Sequence, residues 1–393
     1  MASKLGIQPP RFYANIAPGP DFDQNTPDQF TGAYLEKWIT KLGGNKEVMG
    51  LSFAFSLLNG PLPAIVDAND SLRLAAEKTG IHVIPAFDLQ NWWDYRSDLW
   101  NWFAPERPGY SPSNRENVEW TGPGPEHATR IAWRNWGSQI RVAPPPNLRA
   151  KAFRTAGSIA LTSVLKPWAK WLDSKPYGPD VLTPGIKLGW EASLGINAFI
   201  YGAGTFDVDA SPSTDPKVGL QPAKGLFGGM SPLGWAALSA ASKPLPEQLT
   251  KTHVEWIVRD YLQWMVDTAR RCGISEAQLA THAGGQFAPY ALHISHDVAR
   301  VRGATPGWSL YNIRPEDAGD LIDTVKRTKH AHWCCAEWMS FATSAERWAD
   351  DLEATLRPQH CRYVVAYNAQ DLVANPVAKA GLANALRRDL TRG

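Results

Sequence analysis

The stretch "GIKLGWEASLG" (185–195) is a short apolar run of strand length whose far end carries a glutamate, Glu191, between Trp190 and Ala192. A second run of the same kind, "HWCCAEWMS" (332–340), places Glu337 beside Trp338 near its C-terminal end. Runs of this length, bounded by Gly, Pro and Ser, read as buried strands of a parallel sheet rather than as helices. Two such strands, each ending in a carboxylate, ask for an architecture that gathers strand ends in one place.

The remainder of the chain supplies that architecture. "RFYANIAPG" (11–19), "VMGLSFAFSLLNG" (48–60), "IHVIPAFDL" (81–89), "LATHAGGQF" (279–287), "GWSLYN" (307–312) and "CRYVVAYNA" (361–369) complete a set of eight strands. Helical periodicity follows at 27–44, 62–80, 148–173, 246–271, 314–330, 344–358 and 376–390. Capping and charge signals agree with these helices: Ser344 is placed as an N-cap, and 314–330 has an acidic start and a basic end. Eight strand–helix units in order predict an α/β fold, a single closed (β/α)₈ TIM barrel over 1–393, with long inserts after strands three and four. No Gly-rich phosphate loop follows strand one, which argues against an open dinucleotide-binding sheet. The Gly/Pro/Ser/Asp-rich segment 202–234 is too long for a plain connection and is read as functional.

Composition narrows the function classes. The chain has 393 residues, 44% hydrophobic and 20% charged, with a net charge of +2. That balance gives no electrostatic footprint for nucleic acid, and no run is long enough to span a membrane. No signal peptide is visible at the start of the sequence, so a cytoplasmic protein, or a secreted one with its signal removed, is expected. The cysteines Cys272, Cys334, Cys335 and Cys361 make no disulfide framework for this length; Cys334 and Cys335 are expected on opposite faces of one strand, filling space. The "HAH" at 330–332 has chelating spacing, but it begins strand seven, on the face away from the strand ends, and no metal is expected.

Of 18 tryptophans, Trp92, Trp93, Trp100, Trp102, Trp120, Trp133 and Trp136 crowd into an irregular polar stretch. Flat indoles there predict a groove for flat apolar ligand faces, and sugars present such faces. Active residues of these barrels sit at the C-terminal strand ends. Glu191 and Glu337 can therefore meet across the mouth as a carboxyl pair, the equipment of glycosidic bond cleavage.

In this arrangement the chain resembles clan A of the glycoside hydrolases, barrels with an acid/base glutamate after strand four and a nucleophilic glutamate after strand seven. "AEW" (336–338) is similar to the nucleophile strand, whereas "WEA" (190–192) has Trp190 where the clan carries Asn; Asn15 and Asn197 offer replacements. The resemblance implies a retaining glycoside hydrolase cleaving a β-linked bond, exo-acting, with Glu191 as acid/base, Glu337 as nucleophile and no cofactor. Its partner would be an oligosaccharide or glycoside, with no nucleic acid and no membrane. The alternatives are a non-catalytic carbohydrate-binding barrel, or an inverting glycosidase pairing one glutamate with Asp88 or Asp207. Candidate substrate-binding residues are Asn15, Asp88, Asn91, Trp92, Arg134, Trp136, Trp190, His282, Gln286, Tyr311 and Trp338. The resemblance also implies a bond from an aromatic hydroxyl to the nucleophile, for which Tyr311 is the candidate.

Overall fold

The computed structural model describes residues 9–19, 21–130, 132–135, 139–175, 182–194, 198–199, 233–284, 294–328, 332–357 and 361–391. The side chains of 132–135, 139–141 and 198–199 lie outside that description. Eight parallel strands close a barrel: β1 Phe12–Ile16, β2 Gly50–Ser56, β3 Val83–Asp88, β4 Ile186–Ala192, β5 Leu279–Ala283, β6 Gly307–Tyr311, β7 Trp333–Met339 and β8 Cys361–Ala366. Each strand pairs with its neighbours in sequence, and β1 pairs with β8 to complete the circle. This is the (β/α)₈ TIM barrel expected from the alternation of strand and helix.

Strands buried on both faces need apolar side chains on both, and these strands have them. Inward, the odd strands contribute Tyr13, Ile84, Ala280 and Cys334 to one cluster, with Tyr363 and Val365 from β8. Outward, Phe12, Phe53, Trp308, Trp333 and Cys335 join the larger core under the helices. Cys334 and Cys335 thus face opposite sides, and both are unpaired. The covering helices include Gly32–Lys41, Leu62–Thr79, Lys151–Asp173, Lys251–Arg271, Ala345–Leu356 and Pro376–Arg387. Ser344 caps the fifth of these through Arg347 N, at 3.3 Å.

Three features differ from the sequence reading. The expected helix over 314–330 is cut to a 3₁₀ turn at Pro315–Asp317 and a short helix at Leu321–Lys326, and Gly319 sits in the left-handed region between them. The insert after β3 holds Ala132–Asn135 and Gln139–Val142, which form an antiparallel sheet with Ala198–Phe199 from beyond β4. Among the described tryptophans crowded into the insert, Trp93 and Trp120 are buried, and Trp92, Trp100 and Trp102 are half-buried against the core. An insert with little regular structure leaves carbonyls to satisfy, and indoles supply the donors. Trp93 donates to Pro144 O, Trp102 to Thr129 O and Trp120 to Arg115 O, each at 2.8 Å. No helix among the described residues is long and apolar enough to cross a membrane.

Candidate active site

Both glutamates lie where their strands depart from regular pairing. The β4–β5 register shifts between Leu188 and Ala192, and the β6–β7 register shifts between Cys335 and Glu337. Such bulges re-aim a side chain at a barrel rim. In β4, Gly189 adopts φ +86° and Glu191 itself φ +50°. A non-glycine residue in that region is strained, and strain of this kind is held where surrounding structure over-determines it. The backbone of β5 presses close: a Cβ on Gly284 would come within 2.6 Å of the Glu191 Cβ.

The result is a buried cluster drawn from β4, β5, β6 and β7. The Tyr311 hydroxyl lies 3.0 Å from Glu191 Oε1 and 2.9 Å from Glu337 Oε2. Glu191, His282 and Glu337 each bring one polar atom within 4.8 Å of the other two. His282 Nε2 meets Ser309 Oγ at 2.9 Å and stands 3.9 Å from Glu337 Oε2. Trp190 stands beside Glu337 and favours its ionised form.

A phenol has one proton to donate, yet Tyr311 O is within hydrogen-bond distance of two carboxyl oxygens. The phenol donates to one carboxylate at a time, and two carboxyls this close carry two charges at a cost, so the arrangement favours one proton on the pair. Electrostatics assigns it to the deeper one: burial, then the charge of Glu191, pushes the Glu337 carboxyl up to about 8. Glu337 is 1% exposed against 6% for Glu191. The Tyr311 phenol is raised well above its usual value, by burial first and then by both glutamates. Burial, reinforced by Lys187, lowers His282 well below its usual range and leaves the imidazole neutral.

Lys187, which the sequence reading passed over, also belongs here. It leaves β4 and donates to Ala336 O of β7 at 2.8 Å, across the barrel interior. Glu191, His282 and Glu337 have the spacing of a three-ligand cation site. The Tyr311 hydroxyl already bridges the two carboxyls, and the set is read as acid–base equipment.

A cavity of about 540 Å³ is lined by residues that include Phe22, Gln24, Ser56, Trp92, Trp190 and Tyr367; the four cluster residues are not in its lining, and Trp190 and Tyr367 adjoin them. Tyr367 packs edge-on to Tyr311, with ring centroids 6.1 Å apart, and so links cavity and cluster. Trp92 and Trp190 pack on Ala54 and Ala86 at its wall.

The structure brings together Glu191, Glu337, Tyr311, His282 and Trp190, with Trp92 at the cavity wall. Asp88 and Asn91 instead hold the loop: Asp88 accepts from Gln90 N at 3.1 Å and Asn91 N at 2.9 Å, and Asn91 donates to Trp190 O. Asn15 is buried in β1, and its Oδ1 has no hydrogen-bond partner among the described residues. Trp338 points away from the mouth. It packs edge-on against Trp348, 4.9 Å between centroids, and donates to Thr355 Oγ1 at 3.0 Å. The side chain of Arg134, all of Trp136 and Gln286, and the segment with Asn197 and Asp207 lie outside the described residues.

No family model and no curated protein matches the chain. Among solved structures, it is similar to 3-keto-D-glucoside 4-epimerase from E. coli, at 13% identity over 95% of this chain and 99% of that one, with TM-score 0.42. It is similar to D-psicose 3-epimerase from Clostridium cellulolyticum H10 with D-tagatose, at 12% identity over 97% and 98%, with TM-score 0.41. A further D-psicose 3-epimerase, solved with D-fructose, matches at 12% identity over 91% of each chain, with TM-score 0.37. At these identities the likeness assigns no chemistry, and the barrel rests on its own strand order.

These findings correct the functional expectation. The neighbours are sugar epimerases rather than clan A glycoside hydrolases, and the retaining hydrolase is set aside. The site adds a physical reason. A carboxyl that attacks an anomeric carbon must be an anion, and burial, then the charge of Glu191, pushes the Glu337 pKa up and so disfavours that form.

Proposed function

We propose that this chain is a carbohydrate epimerase or isomerase that moves a proton on a sugar carbon adjacent to a carbonyl. The observation that carries the reading is the Tyr311 hydroxyl between Glu191 and Glu337; with the Glu337 carboxyl pushed up by burial, the reading takes Glu337 as the acid and Glu191 as the base. General acid–base catalysis asks for groups with pKa values set apart in this manner.

In this scheme Glu191 removes the proton from the carbon, and the C–H electron pair becomes the new C=C bond of an enediol. The carbonyl π pair moves to oxygen, which takes a proton from Glu337 through Tyr311. For an epimer, the enediol hydroxyl returns its proton through Tyr311 to Glu337 as the C=O re-forms, and Glu337 protonates the same carbon from the other face; the proton left on Glu191 then passes through Tyr311 back to Glu337. For an isomer, Glu191 gives its proton to the former carbonyl carbon while the neighbouring hydroxyl gives its own to Glu337, and a new C=O forms there. Neutral His282, held by Ser309, is a hydrogen-bond partner for a sugar hydroxyl or for the developing oxyanion. Trp92 and Trp190 supply indole faces for the ring. The named epimerases act on sugars of this chemical class, but the proposal rests on the acid–base pair and the cavity, not on that distant likeness.

The test is a panel of ketoses, keto-glycosides and aldoses, with products followed by NMR. A new epimer or isomer is expected from at least one member, and Glu191→Gln and Glu337→Gln should each abolish it. Turnover that survives Glu191→Gln, or no conversion across the panel, contradicts the proposal.

A further inference from the structure

Lys187 takes no step in the proton transfer, yet it is 2% exposed and lies at the centre of the barrel. Its ammonium has one hydrogen bond among the described residues, to the neutral carbonyl of Ala336, immediately before Glu337. Burial lowers the Lys187 pKa, and the charges of Glu337 and Glu191 act against that shift; a buried cation is costly unless an anion faces it. The titratable groups facing Lys187 are Glu337, Cys334 and Cys335 from β7, Glu191 from β4 and His282 from β5. Burial pushes the Cys334 thiol up to about 11 and Cys335 well above its usual value, so both are neutral. His282 is neutral as well, and the phenols of Tyr311 and Tyr367 stay protonated. The counter-charge to Lys187 among these groups is therefore the carboxyl pair.

We propose that Lys187 is a positioning residue whose ammonium holds the Glu191–Glu337 pair at one negative charge. One ammonium, one carboxylate and one carboxylic acid make the buried cluster neutral overall, and that state is the one proton transfer needs. Without the cation, the second proton has no reason to leave: both carboxyls become acids and the base is lost. The catalytic meaning of this assignment rests on the proton-transfer reading; the charge assignment itself does not.

The experiment is infrared spectroscopy of the whole protein with glutamate isotopically labelled, without substrate, across pH 5 to 10. Glu191→Gln and Glu337→Gln identify the signals of the pair. The parent should show one protonated carboxyl from the pair at pH 7. Lys187→Met should show two, with ionisation moved up by about 1–3 pH units, the usual effect of an adjacent opposite charge. Lys187→Arg should restore one. An unchanged count and titration in Lys187→Met overturn the proposal. Should that variant fail to fold, nitrogen NMR of labelled lysine in the parent decides: an ammonium at pH 7 is expected, and a neutral amine overturns it. A shifted pair with no sugar turnover would leave Lys187 assigned and remove the epimerase reading. Turnover with an unshifted pair would do the reverse.

Discussion

Replacing Tyr311 with Phe removes one oxygen and leaves the ring, with its edge contact to Tyr367, in place. The lost oxygen makes two contacts, 3.0 Å to Glu191 and 2.9 Å to Glu337. A hydrogen bond to a charged group is worth about 1.5–3 kcal/mol, and one pKa unit corresponds to about 1.4 kcal/mol. Loss of the bond that favours the ionised pair should therefore raise the Glu337 carboxyl by roughly 1–2 units above its value of about 8. The same energy, lost from the transition state, lowers kcat by about 10- to 100-fold. Rates measured from pH 5 to 10 should show both effects: a smaller plateau, and a limb governed by Glu337 displaced to higher pH. The melting temperature should fall by only a few degrees, because the core keeps the ring. A variant with the parent's rate and pH profile would refute the role of the hydroxyl, and a variant that loses its fold would show that Tyr311 is structural.

Glu337 has its folded-state pKa raised, so its contribution to stability is full below the unfolded carboxyl value and is lost as pH rises through about 8. Glu337→Gln should remove that dependence, melting at higher temperature than the parent at pH 9 and showing no such gain at pH 5 in calorimetry. Glu119, buried and pushed up to about 8, accepts from Trp120 N at 3.4 Å and faces the backbone amides of Gly234, Ala236 and Ala237, at the start of the short helix Trp235–Ala240, which favour its ionised form. Glu119→Ala should cost about 2–4 kcal/mol in denaturant unfolding while leaving KM unchanged. Trp92→Ala should weaken sugar binding by about tenfold or more in calorimetric titration, since one sugar face buries on the order of 60–100 Å². Trp338→Ala should instead cost about 3–5 kcal/mol of stability and leave the affinity of the folded fraction intact.

The barrel was legible because its strands are buried on both faces. Apolar runs such as "HVIPAF" and "RYVVAY", spaced by helical periodicity, leave few other folds. Glu191 and Glu337 could be read for the same reason, as carboxylates at the ends of strands that otherwise tolerate no charge. What they do could not be read. The bulges at Gly189 and Cys335, which turn both side chains inward, leave no periodic signature, and neither does a phenol arriving from β6 between them. Lys187 did leave a signal: a lysine between Ile186 and Leu188 in a buried strand has no solvent to reach and needs a partner inside. The number of tryptophans in the insert suggested stacking, whereas the N–H groups of Trp93, Trp102 and Trp120 bind loop carbonyls. Trp338 shows the limit of adjacency in sequence: next to Glu337 in the chain, it lies on the opposite side of the strand against Trp348.

The account turns on whether Glu191 and Glu337 exchange a carbon-bound proton. Turnover in D₂O, followed by proton NMR on keto sugars, measures this directly. The account predicts deuterium at the carbon beside the carbonyl in recovered substrate or product, at a rate that disappears in Glu191→Gln. Conversion without deuterium, or the same exchange in Glu191→Gln as in the parent, would contradict it.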